Sequence, residues 1–91
     1  MCPIETIEPD DRALALHALA WTLGEPDRAA RLLALTGLSP DDLRARAGEP
    51  AVLSATLCFL ENHEPDLVAC AAALETKPEA LTAARRRLEA A

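Results

Sequence analysis

Apolar residues recur along the chain at helical spacing, and prolines and glycines cut that pattern into six stretches. Proline is tolerated in the first turn of a helix, where its missing N–H would have had no partner, and glycine is favoured just past the last turn. Pro9 therefore opens a first helix closed by Gly24, Pro26 a second closed by Gly37, and Ser39-Pro40-Asp41-Asp42 a short third closed by Gly48. Pro50 opens a fourth that fades at Asn62-His63, Pro65 a fifth, and Thr76-Lys77-Pro78-Glu79 a sixth that runs to the C-terminus. Linkers of a few residues make successive helices turn back on each other. The pattern predicts an all-α, compact bundle of about six short helices, a single domain over residues 1–91 with residues 1–8 as a flexible N-terminal segment.

The charges fall where helix ends favour them. Ser39 can accept a hydrogen bond from a backbone N–H two or three residues on, and Asp41 and Asp42 meet the positive end of the third helix. Thr76 and Glu79 have capping-box spacing, while Arg44, Arg46 and Arg85 to Arg87 sit in last turns. The same landmarks suggest a repeat. Glu25-Pro26-Asp27 through Pro40-Asp41-Asp42-Leu43 resembles Glu64-Pro65-Asp66 through Pro78-Glu79-Ala80-Leu81, each run following a helix that carries an aromatic, Trp21 or Phe59. Two pseudo-repeated three-helix units, 9–48 and 50–91, fit this; so does the shared chemistry of proline-started helices.

The fourth stretch carries the strongest core stripe, Leu53, Thr56, Leu57 and Leu60, flanked by Val52 and Phe59. Ala29, Leu32 and Leu33 face one way in the second, away from Arg28 and Arg31, and Leu81, Ala84 and Leu88 share a face of the sixth. Cys70 lies with Leu67, Ala71 and Leu74 on the core stripe of the fifth, whereas Cys58 lies opposite the core stripe of the fourth and is expected to be the reactive thiol. The first helix is apolar on two sides. Leu16, Leu19, Ala20 and Leu23 make one stripe, and Leu14, Ala18 and Trp21, with His17 beside them, make another nearly opposite. Such a helix is either central or covers its second side with a partner, so Leu14, His17, Ala18 and Trp21 form a candidate partner surface.

Composition narrows the function classes. The 91 residues carry 15 acids against 9 bases, a net charge of −6, which disfavours unaided binding to nucleic acid or anionic membrane. The first residues have neither a basic nor an apolar leader pattern, and no apolar run is long enough to span a bilayer, which predicts a cytoplasmic protein with no membrane partner. Cys2, Cys58 and Cys70 show no paired spacing and are expected to stay thiols.

Candidate chemistry is thin. His17 and Trp21, four residues apart, could present a ligand, but a rim histidine beside a core tryptophan is the plainer reading. Glu61, Asn62, His63, Glu64 and Asp66 bunch around one turn without a recognised metal spacing, and a solvated acidic loop accounts for them. Arg85, Arg86 and Arg87 form a candidate basic patch for nucleic acid; the alternative is cations at a helix C-terminus, with Arg85 reaching Glu89. No catalytic template, cofactor loop or metal set emerges, so no cofactor is expected. A chain this small and alanine-rich leaves little room for a deep pocket of ~300 Å³ or more.

Ala18-Leu19-Ala20-Trp21, the stretch Leu32-Leu33-Ala34-Leu35-Thr36-Gly37-Leu38-Ser39-Pro40-Asp41-Asp42-Leu43-Arg44, and Leu53 to Leu60 together resemble a family of short, uncharacterised alphaproteobacterial proteins defined as a domain of unknown function. The resemblance covers about residues 13–88 and departs from the family pattern at Glu75-Thr76, where a glycine is expected. It implies an all-helical cytoplasmic protein and supplies no catalytic residues. The function expected from the residues is a small non-enzymatic interaction or adaptor module with an unidentified protein partner or a second copy of itself. A nucleic-acid-associated regulator using the arginine cluster and a small-ligand binder are the alternatives.

Overall fold

The computed structural model describes the backbone of residues 9–90 and the side chains from Asp11 onward. The segment expected to be flexible, 1–8, and Cys2 within it lie outside the described residues. Six helices follow one another: α1 (Pro9–Leu23), α2 (Pro26–Thr36), α3 (Pro40–Arg46), α4 (Pro50–Glu61), α5 (Glu64–Ala73) and α6 (Pro78–Ala90). No strand occurs among the described residues. All but α5 start at the proline that marks them in the sequence, and α5 starts one residue before Pro65.

Local chemistry explains most of the ends. The Glu25 carboxylate accepts from the Arg28 N–H at 3.2 Å to cap α2, and the Ser39 hydroxyl accepts from the Asp42 N–H at 3.1 Å to cap α3. Gly37 closes α2 in the left-handed region, φ 74°, and donates its N–H to the Leu33 carbonyl at 2.8 Å. The Thr76–Glu79 capping box does not form in that role. Thr76 instead belongs to the end of α5: its N–H reaches back to the Ala71 carbonyl at 2.8 Å, and the Glu75 N–H reaches Ala72 at 3.1 Å. This double bond pattern needs a left-handed residue between helix and exit, and Glu75 takes that conformation with φ 58°. Lys77 then immediately precedes α6.

The interior is built around α4. Leu53, Thr56, Leu57 and Leu60 are fully buried, with Val52 and Phe59 nearly so, and this helix packs against α6, α1, α5 and α2. Leu81, Ala84 and Leu88 bury from α6, and Cys70 and Ala71 from α5. α1 is central too, in contact with α2, α4, α5 and α6. Its buried line is Ala15, Ala18, Leu19 and Thr22, mostly small side chains that let neighbouring helices approach closely. The two buried threonines are satisfied locally, Thr22 donating to the Ala18 carbonyl at 2.8 Å and Thr56 to that of Val52 at 2.9 Å. At the far end of α1, the buried Asp11 carboxylate accepts from both Nε and Nη2 of Arg87, each at 2.7 Å, fastening α1 to α6.

By contrast α2 buries Leu32 and α3 buries Leu43, one residue each. The correspondence between 9–48 and 50–91 holds for the order of the helices and stops at their packing. α6 lies broadly against both α4 and α1, whereas α3, its positional counterpart, meets no helix broadly.

Candidate functional site

The two apolar stripes of α1 are divided differently from the sequence expectation. The interior takes a line between them, using the inner edge of each: Leu19 from one, Ala18 from the other. Ala18 is 0% exposed, so it cannot belong to a partner surface; Leu14 and Trp21 are half-buried against the core, and of the four proposed residues only His17 is exposed. Trp21 is also roofed. The Arg28 guanidinium lies 3.8 Å from its ring centroid and donates through Nη2 to the Trp21 carbonyl at 3.0 Å. The physical reason is the placement of α4 and α6 against α1, which periodicity on α1 alone does not reveal.

It is the opposite stripe that stays open. Leu16 and Leu23 are 40% and 41% exposed, and with Leu19 and Ala20 they form one wall of a groove. α2 contributes Ala29 and Leu33 to it, and α3 contributes Pro40, Leu43 and Arg44, with Ala47 at its end. The groove measures about 480 Å³ and is open along one side, a trough between helices. It is an open trough rather than the deep pocket the sequence argued against, and α3, which meets no helix broadly, forms one wall through Pro40, Leu43 and Arg44. Its walls hold no hydroxyl, thiol, imidazole or carboxylate side chain. Arg44 is the one charged residue lining it, and its Nη1 pairs with Asp41 at 3.1 Å on the exposed surface of α3.

A second trough of about 420 Å³ runs between the end of α2 and α4, with Leu35, Leu38, Val52 and Cys58 among its walls. Cys58 is exposed there and Cys70 is buried, as their faces predict. Burial pushes the Cys70 thiol up to about 11, against a partial opposing pull from Arg28. The Cys58 sulfur accepts from the Asn62 amide at 3.8 Å.

The arginine triplet is largely engaged within the molecule. Arg85 pairs with Glu61 through Nε and with Glu89 through Nη1 at 2.8 Å, so it does reach Glu89; Arg87 holds Asp11. The Glu61 hydrogen bond and then the Glu89 one raise the Arg85 pKa further. Arg86 is exposed on α6. The acidic turn is dispersed in the same way: Glu61 turns to Arg85, Asn62 to Cys58, and Asp66 to Arg31 at 3.0 Å. Among the described residues no three His, Cys, Asp or Glu side chains gather as a metal site requires.

Sequence reasoning missed the groove, the Arg28–Trp21 stack and the Asp11–Arg87 pair. The groove had a legible signal in the Leu16-Ala20-Leu23 stripe, but its other walls come from helices that each contribute only two or three residues. The ion pair joins residues 76 apart, and no local pattern marks it.

No helix among the described residues is long and apolar enough to cross a membrane. No curated protein and no solved structure matches the chain. The model of a family of proteins of unknown function, DUF3572, matches residues 9–91, which takes in all six helices, and the chain belongs to that family.

Proposed function

We propose that this protein is a small non-enzymatic interaction module of the cytoplasm, and that it works by receiving part of another protein in the α1–α2–α3 groove. The observation that carries the reading is a preformed apolar trough with two leucines of a central helix left 40% and 41% exposed. Contiguous apolar surface of this kind marks interaction sites, because covering it gains roughly 25 cal/mol per Å² removed from water. Small-molecule sites enclose most of their ligand, and a trough open along one side favours a macromolecule. The exposed free thiol of Cys58 suits a reducing compartment.

A photo-crosslinking residue placed at Ala20, on the groove wall, and separately at Ala69, on the exposed side of α5, tests this in the native cell. The Ala20 position is expected to trap a discrete adduct that Leu16→Asp removes. An adduct at twice the mass of the chain would replace the foreign partner with a second copy. Equal trapping at both positions, or none, overturns the assignment.

A further inference from the structure

We infer that the groove takes an amphipathic helix of the partner, with leucine-sized side chains on two successive turns and a flanking carboxylate that Arg44 reads. This rests on the groove being the docking surface. Helical form follows from what the molecule offers a bound segment. Strand addition requires a sheet edge, and the described residues have no strand. Polyproline segments dock on aromatic walls, and neither Trp21 nor Phe59 lines the groove. Phosphorylated motifs are held by several arginines, where this groove has one. What remains is an apolar channel between helices. Its α1 wall runs from Leu16 to Leu23, about 10 Å at 1.5 Å per residue, which matches a partner helix anchored at i, i+3 or i+4, and i+7.

Charge selects the flank. In a chain with 15 acids and 9 bases, the groove lining contains no acid and one base. Arg12, exposed one turn before Leu16 and in line with it, extends the positive rim along α1. At physiological salt, charges beyond about 8 Å are largely screened, so a bound helix meets mainly the groove's own rim, where Asp41 stands 3.1 Å from Arg44. The Arg44–Asp41 pair does not prevent the exchange. Its side chains are 79% and 92% exposed, and an ion pair so solvated is readily given up for another carboxylate.

Two synthetic amphipathic peptides of about 16 residues provide the test, just above the length of ~12–15 residues below which an isolated helix is marginal in water. Both carry leucines at i, i+3 and i+7; one flanks them with glutamates, the other with lysines at the same positions. Each is titrated into the isotope-labelled full chain and followed by amide chemical shifts. The glutamate peptide is expected to shift α1, α2 and α3 resonances and to bind about fivefold more tightly or better. Arg44→Glu should reverse that order, while Arg86→Glu, outside the groove, should not. Equal binding of the two peptides in the groove overturns the charge selection and leaves the docking surface standing. Shifts confined to other helices, or none up to on the order of 1 mM peptide, overturn the docking surface itself.

Discussion

α3 and α4 begin alike, each behind a polar cap position with proline in the first turn, and they end in opposite circumstances. α4 buries six of its twelve residues, because Val52, Leu53, Thr56, Leu57, Phe59 and Leu60 are spread around enough of its circumference to meet several neighbours. α3 buries Leu43 alone of its seven. Helix-start chemistry thus decides where an element begins and says little about how tightly it is held; the number of apolar directions decides that. One side of the molecule, α4 with α6 and the inward line of α1, is a closed core. The other side, α2 and α3, is pinned by single leucines, and the groove lies along that loosely held side.

The largest expected effect tests the closed side. Leu57→Ala should lower stability by ~2–5 kcal/mol in chemical denaturation, since it sits fully buried in mid-helix and its loss leaves a cavity. A shift under ~1 kcal/mol would remove α4 from the centre of the core. Leu43→Ala sharpens the contrast. It should cost about 2 kcal/mol, the low end for such a truncation, and hydrogen exchange should show α3 amides opening in solvent while those of α4 stay protected. Uniform acceleration across all helices would mean that α3 is an integral part of the core.

Smaller effects probe the joints. Glu75→Gly should stabilise the fold by about 1 kcal/mol, because the left-handed conformation that glutamate adopts there is one glycine reaches without strain. An unchanged or lower melting point would speak against that geometry. The thiols report the same division by reactivity: Cys58 should label rapidly in the native state and Cys70 only on unfolding. Cys70 also sets a sign for pH. Its thiol, raised from 9.0 to about 11 by burial, stays neutral in the folded protein where an unfolded chain would ionise, so the folded state binds more protons. Stability should therefore fall as pH rises from about 9 to about 11, and Cys70→Ala should flatten that slope.

The helix boundaries were legible because proline, glycine and Ser39 act on their own neighbours. Gly37 and the Ser39 cap needed nothing beyond the next four residues. The stripes of α4 and α6 were legible for a related reason: each helix has a single continuous apolar arc, broad in α4 and narrow in α6. α1 was not legible in this way. Its two stripes are equal claimants, and the choice was made by α4 and α6 arriving between them, leaving Leu16 and Leu23 outside. Thr76 misled because the box spacing was present, yet its N–H was already committed to closing α5. The α1 wall of the groove was visible as a stripe, but the groove itself was not, since its other walls come together with it only in three dimensions.

The Asp11–Arg87 pair carries a consequence for how the protein comes to be. It bridges 76 residues, and α1 buries its inner line against the last of the six helices as well as against α4. Contacts so far apart in sequence carry a large loop-closure entropy and form late. During synthesis α1 is made before α6, so the part of its interior face that α6 covers stays open after α4 has been made, until α6 follows. In that interval the nascent chain exposes the surface it will later hide, and its exposure to proteases and chaperones ends when the second arm of the clasp arrives.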